Sequence, residues 1–444
     1  MTDKIGQVER RTQERIIRLF AEQLSYAYLG NWHHREGNSN IEPELLAAYL
    51  RSTGSYDDTL IARAIDQLRR AANDSTKTPY ERNRDVYEIL RYGAKLPLGP
   101  DQPTVTVWLI DWANPENNHF GVAEEVTLPG AEFGKRPDIV LYVNGIALGM
   151  LELKRSIVEV GQGIRQLISS QRSEFIQNFF STMQLLAAGN DTEGLRYGTI
   201  ETPQKYYLKW REDSPITNPL DRAITQLFSK DRFLEIVHDF IVFDSGIKKV
   251  PRHNQYFGVK AAQEYVDRKK GGIIWHTQGS GKSLTMVWLA KWILEHDPAA
   301  RVLIVTDRIE LDKQIAAVFK GVGETIKQSR SGQGLLADLN KTEERLMCSL
   351  IHKFGASAGT DTTDSAYTEY IKQIQESVPS DFEAKGNIFV FVDECHRTQS
   401  GKLHQAMKTI LPDATFIGFT GTPLLKKDKA TSREVFGPYI PTYK

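Results

Sequence analysis

Cysteine is nearly absent from the 444-residue sequence, which holds only Cys348 and Cys395. Two thiols exclude a disulfide framework and a thiolate-caged zinc site, and they suit a reducing compartment. Net charge is absent too, because Lys+Arg and Asp+Glu each number 56. That balance says little about nucleic acid, since a local basic groove fits within a neutral total. No window approaches the roughly 18 uninterrupted apolar residues of a membrane span. The charged start MTDKIGQVERRTQERIIRLF has no signal-peptide core. No internal repeat is found. The expectation is a cytoplasmic protein without a membrane partner. At 40% hydrophobic and 25% charged residues, the composition is that of ordinary globular domains, and the length allows two or three.

Helical periodicity dominates 8–28 and 42–96. From about 104 the pattern turns to short runs bounded by Pro, Gly and Asn (TVTVWLIDW, EEVTLPG, DIVLYV, IALGMLELK), which predict strands. A helix is expected at GIRQLISSQ, strands near LRYGTIET and QKYYLKW, and a helix over DRFLEIVHDFIVF. The basic stretch DSGIKKVPRHNQY, at 244–256, marks a boundary. Beyond it, near-continuous apolar strands alternate with helices, the pattern of a buried parallel sheet. The expected domains are 1–245, helical over 1–100 with an α/β core over about 101–245, and 246–444. GASAGTDTTDSA, at 355–366, reads as a flexible loop.

GGIIWHTQGSGKS places a buried strand before a Gly-rich turn, with Lys282 and Ser283 opening a helix. Backbone N–H groups of such a turn cradle phosphates; here they would come from Thr277, Gly279, Ser280 and Gly281. Lys282 suits β/γ-phosphates and the Ser283 hydroxyl suits Mg²⁺. His276 stands where the full consensus has its first Gly. IFVFVDECHR ends an apolar strand in Asp393-Glu394, where open parallel sheets bind ligands. Asp393 suits Mg²⁺ and Glu394 suits polarising water. Cys395 reads as a spacer in this run, not as a nucleophile. FTGTP, at 419–423, adds the hydroxyls of Thr420 and Thr422.

DIVLYVNGIALGMLELKR is a hairpin about Asn144-Gly145 with three ionisable groups at its open end. Strict pairing about a two-residue turn sets Asp138 opposite Leu151. Glu152 and Lys154 would then lie on the other face. Convergence of the three demands a bulge or a strong twist. Two converging carboxylates suit Mg²⁺ and a nearby Lys suits a developing negative charge. A solvated strand end reads from the same residues. The cations Lys248, Lys249, Arg252, Lys260, Arg268, Lys269 and Lys270 suit either DNA phosphates or a solvated linker.

RPD, then 13 residues from Asp138 to Glu152, then ELK has the form of the PD-(D/E)xK nuclease signature. The later motifs resemble motifs I, II and III of superfamily 2 helicases and translocases, with VLIVTDRIELDKQ similar to motif Ia. In RHNQYFGVKAAQ, Gln255 matches the residue that contacts adenine; a turn residue is the other reading. Together these motifs resemble the restriction (R) subunit of type I restriction–modification enzymes, across nearly the whole chain.

The resemblance implies a PD-(D/E)xK-type α/β nuclease domain with a helical N-terminal region, followed by a RecA-like parallel-sheet P-loop domain. It implies ATP and Mg²⁺ as cofactors, with metal at Asp138, Glu152, Ser283 and Asp393. Catalysis would rest on Asp138, Glu152, Lys154, Gln166 and Glu394. Double-stranded DNA and the methylation and specificity subunits are the implied partners. Ser170 departs from the family's Tyr after Gln166, and Glu14 or Glu9 is the candidate for an acid on the first helix, with a solvated helix face the other reading of either. The sequence stops 21 residues after TGTP, with one motor lobe, so ATP binding with poor hydrolysis and no translocation is expected. The alternatives are a helicase or remodelling ATPase whose N-terminal domain binds without cutting, and a non-enzymatic docking fragment.

Overall fold

The computed structural model describes residues 2–99, 102–277, 279–306, 332–350, 382–395, 411–421 and 436–441, with a few residues between 315 and 329 and between 372 and 410. The chain divides into two compact units, Met1–Arg252 and His253–Lys444.

In the first unit, α1 (Thr2–Arg18) passes through a π turn at Leu19–Gln23 and into β1 (Ala27–Asn31). The helix expected over 8–28 ends early because 27–31 pairs with 121–124 in parallel. The stretch 42–96 breaks into α2 (Pro43–Ser52), α3 (Asp58–Ala72) and α4 (Pro79–Tyr92). Local capping sets the starts of the last two: Asp57 accepts from Leu60 N, and Thr78 and Glu81 form a reciprocal capping box. β2 (Ala94–Pro97) and β3 (Thr104–Val107) make a small antiparallel pair.

The central sheet adds β4 (Phe120–Glu124), β5 (Ile139–Val143), β6 (Ile146–Leu153), β7 (Leu185–Asn190) and β8 (Gly194–Gly198), in the order β1-β4-β5-β6-β7-β8. EEVTLPG supplies only a bridge at Leu128, and QKYYLKW only one at Leu208. α5 (Val160–Ser170) is the crossover between β6 and its parallel neighbour β7. Its Val160, Ile164 and Leu167 pack with Val140, Met150 and Ala188 in one core.

After α6 (Pro219–Phe228) and α7 (Lys230–Asp239), the hairpin of β9 (Val242–Asp244) and β10 (Ile247–Lys249) completes this unit. Lys248 Nζ is buried and donates to Asn83 Oδ1, Gln184 Oε1 and the Met183 carbonyl at 2.8, 2.7 and 3.0 Å. The division thus falls after Arg252, beyond the hairpin. The DNA-or-linker reading fails for two cations of this stretch, because Lys248 is core and Lys249 pairs with Asp244.

The second unit contains α8 (His253–Asp267), β11 (Gly272–Trp275), α9 (Lys282–His296), β12 (Ala300–Thr306), β13 (Lys327–Ser329), β14 (Leu346–Leu350), β15 (Asn387–Asp393) and β16 (Thr415–Thr420). Its sheet order is β11-β16-β15-β12-β14-β13, with every pair parallel. The long strands β12, β15 and β16 are buried along almost their whole length, as a sheet covered on both faces requires. The motif Ia segment DRIELDKQ, the helix expected after Glu310, Thr422 and the 355–366 stretch lie outside the described residues. Among the described residues no helix is long and apolar enough to cross a membrane.

Candidate functional site

Asn144 and Gly145 turn the first unit's hairpin with φ of 53° and 82°, the left-handed pair that an Asn-Gly turn supplies. Tyr142 pairs with Ala147, but Leu141 pairs with Gly149, so Leu148 is an extra residue in β6. This is the bulge that convergence demanded. Beyond it Ile139 faces Leu151, which brings Asp138 level with Glu152. Asp138 Oδ2 accepts a hydrogen bond from Leu153 N at 2.6 Å.

Glu152 is 2% exposed, and its Oε2 accepts no hydrogen bond. Lys154 Nζ lies 3.7 Å from that atom. Burial first, and the Asp138 carboxylate second, push the Glu152 pKa well above the ordinary range, with Lys154 pulling it back. A buried carboxylate pair under-compensated by one lysine favours an added cation. Among the described residues no group of three or more His, Cys, Asp or Glu is placed to hold a metal. The pair and its lysine are therefore what the first unit offers. The orphaned Oε2 fits a metal ligand.

α5 reaches this site through Gly163, where an added Cβ would stand 3.4 Å from Lys154 Cγ and 3.7 Å from Glu152 Cβ. Gln166, one turn later on the same side of the helix, is half-buried. Ser170 Oγ donates back to the Gln166 carbonyl at 2.9 Å, so it does not take the place of the family's Tyr.

Of the two first-helix candidates, Glu14 takes the solvated helix face. Glu14 is exposed and pairs with Arg10 in an i,i+4 bridge, while the Glu9 side chain lies outside the described residues. One residue is 100° of helix, and that step makes Gln13 the inward residue. Gln13 Nε2 donates to Glu124 Oε2 at 3.1 Å and to the Asp138 carbonyl at 3.4 Å. Tyr28 Oη also donates to Glu124, at 2.7 Å. Gln13, Glu124 and Gly163 escaped the sequence reading because none matches a motif. Their role follows from pairings between elements distant in the chain.

In the second unit the phosphate-loop turn follows β11. Gly279 and Gly281 have φ of 78° and 88°, and an added Cβ on Gly281 would meet Gln255 Nε2 at 2.2 Å. Thr277 O accepts from Ser280 N and Ser280 Oγ at 3.0 and 2.6 Å, closing the turn. Lys282 and Ser283 stand half-buried in the first turn of α9. Gln255 is not a turn residue: it is buried in the first turn of α8, and its Nε2 donates to the Gly281 carbonyl at 3.0 Å. Lys282 Nζ lies 2.8 Å from Glu394 Oε1 and 3.7 Å from Asp393 Oδ1. Glu394 itself has φ of 48°, immediately after β15.

His276 is buried behind the turn, and its pKa is pushed down to about 4, chiefly by burial and then by Lys282. Burial likewise drives the Cys395 thiol far up, and it packs on Gly418, as a spacer does. Thr420 is buried at the end of β16, its carbonyl accepting from His276 N at 3.0 Å.

Residues 6–205 match the family model described as "Type I restriction enzyme R protein N terminus", and residues 254–444 match "SWI2/SNF2 ATPase". Both matches agree with the resemblance read from the motifs: the first unit is similar to an R-protein N terminus and the second to a SWI2/SNF2 ATPase. Relatives bear the same stamp. The type I restriction enzyme HindI endonuclease subunit of Haemophilus influenzae is 28% identical over 82% of this chain and 37% of its own. A Methanocaldococcus jannaschii protein named as the MjaVIIIP type I endonuclease subunit is 30% identical over 87% of this chain and 39% of its own. The chain thus spans under two-fifths of the length of these relatives.

Two solved structures share weaker likeness. The UvsW helicase from bacteriophage T4 is 18% identical, with a TM-score of 0.33 over 47% of this chain and 66% of its own. A nuclease-deletion mutant of the type ISP restriction–modification enzyme LlaGI, in complex with a DNA substrate mimic, is 14% identical, with a TM-score of 0.30 over 44% of this chain and 20% of its own.

Proposed function

We propose that this chain is the nuclease and first motor lobe of a type I restriction subunit, cutting duplex DNA with Mg²⁺ and coupled to ATP-driven translocation. The observation that carries the reading is the bulge at Leu148, which sets Asp138 beside Glu152 and leaves Glu152 Oε2 without a hydrogen-bond donor. Asp138 and Glu152 would hold the metal, whose chemistry is to acidify a water and polarise the phosphodiester. Lys154, above the pair, stabilises negative charge on the phosphate, and Gln166 orients the same group from α5. In the second unit Thr277, Gly279, Ser280 and Gly281 would receive the triphosphate of ATP. Ser283 and Asp393 would hold its Mg²⁺. Lys282 would exchange Glu394 for phosphate oxygens, which frees Glu394 to orient water, while Gln255 reads the adenine. Methylation and specificity subunits are the expected partners.

The test is the full-length subunit in its assembled complex. Asp138→Ala and Glu152→Ala should each abolish cutting, by at least about 10³-fold, with DNA-stimulated ATPase retained. Cutting that survives in both variants would leave a helicase whose first unit only binds.

A further inference from the structure

Glu152 on β6 pairs with Ala188 on β7, and Ala188 pairs with Arg196 on β8. Tyr197 bridges Leu208 in antiparallel sense, which sets Lys209 opposite Arg196. Residues opposite one another on neighbouring strands project from one face of a sheet. Glu152, Ala188, Arg196 and Lys209 therefore form a single row. At about 4.8 Å per strand, Arg196 stands roughly 10 Å from Glu152 and Lys209 roughly 14 Å.

Arg211 and Arg222 adjoin the outer end of this row: burial and the charges of Arg196, Arg211 and Arg222 lower the Lys209 pKa, against the opposing pull of the nearby Glu193 carboxylate. Among the described residues, none of these four cations takes part in an ion pair. Other cations of the unit are neutralised, Arg15 by Asp191 and Asp221, and Arg232 by Glu212. Mutual repulsion of four unpaired cations opposes folding, and a polyanion relieves it.

We propose that Arg196, Lys209, Arg211 and Arg222 form a track for the phosphate backbone of duplex DNA along the outer edge of the sheet, beyond α5 from the carboxylate pair. The proposal rests on the nuclease reading above. Arg196 and Lys209, about 4.8 Å apart across the register, would contact the same stretch of phosphate backbone. Between Glu152 and Arg196 the row is covered: Ala188 is fully buried beneath α5, where an added Cβ on Gly163 would stand 3.0 Å from its Cβ. The contact is to phosphate and carries no sequence information, which leaves site choice elsewhere.

The experiment is binding of a fluorescent 30-base-pair duplex to this chain, across a salt series in Ca²⁺. Arg196→Gln/Lys209→Gln is compared with Arg69→Gln/Arg70→Gln, two exposed cations of α3, and both variants are checked for native melting. The track variant should bind about tenfold more weakly, and its slope of log affinity against log salt should fall by about 1.8, or 0.9 for each phosphate lost. Unchanged affinity and slope, or an equal loss in the α3 variant, overturns the track. Glu152→Ala separates this from the parent reading. If it spares cutting by the full-length subunit while the track variant still loses affinity, the nuclease reading fails and the DNA track stands. If Glu152→Ala abolishes cutting while the track variant binds normally, the nuclease stands and the track falls.

Discussion

Each unit brings two carboxylates and a lysine together at strand ends, yet the lysine sits differently in the two triads. In the second unit Lys282 makes a 2.8 Å bond to Glu394 and lies near Asp393, so its charge is spent on the acids. In the first unit Lys154 stays 3.7 Å from Glu152 Oε2, and Asp138 adds repulsion. The same residue types, with the same formal charge, thus make one site whose lysine stands off at 3.7 Å and one whose lysine bonds an acid at 2.8 Å. A bare cation suits the first. The second is suited to a ligand that brings anion and cation together, as a Mg²⁺–nucleotide does, since the lysine then trades one anionic partner for another.

The largest expected break of this comparison is Lys282→Ala. Charge-assisted hydrogen bonds contribute ~1.5–3 kcal/mol, so nucleotide affinity should fall roughly 10- to 150-fold. Mn²⁺ binding at Asp138 and Glu152, followed by electron paramagnetic resonance, should be unmoved. A matching loss of Mn²⁺ would mean the two sites are not independent.

Glu152→Gln cuts the other way. It should abolish Mn²⁺ binding in the first unit while raising thermal stability, by about 2–4 °C per kcal/mol for a domain of this size. The sign follows from linkage. The folded carboxyl has a raised pKa, so the fold binds more protons than the unfolded chain, and stability falls as pH rises from the ordinary carboxylate range. A lower melting temperature would show that Glu152 is already compensated.

The last effect concerns the second unit and acid. His276 is held neutral, with its pKa at about 4, so the stability present above pH 6.5 is lost as pH falls toward 4. The full loss is about 3 kcal/mol. His276→Gln should flatten that slope in melting curves of the chain between pH 7 and 4.

Much of this was legible in local sequence. Asn144-Gly145 declared the turn, and GSGKS with DECH declared a phosphate loop and an acidic strand end, because turn chemistry and short apolar strands are written in neighbouring residues. The hairpin's parity even declared that a bulge was needed, though not that it would fall at Leu148. What failed was long-range. Lys248 read as a surface cation beside Gly and Pro, yet its acceptors Asn83 and Gln184 come from elements far back in the chain. Glu14 lost to Gln13 by one residue, a distinction that amphipathic periodicity does not resolve. The row from Glu152 to Lys209 depends on the register of three strand pairings, and register is a property of the assembled sheet.

The bulge also works as a parity constraint on the chain. Across a two-residue turn, facing residues are always an odd number of positions apart, and Asp138 and Glu152 are separated by an even one. One unpaired residue between them is therefore compulsory, and its position is free. Moving it along β6 would leave the acids facing each other, and so would deleting it, because the shortened hairpin pairs the same two acids without a bulge. This site should therefore tolerate deletion of Leu148 better than an insertion at the same place.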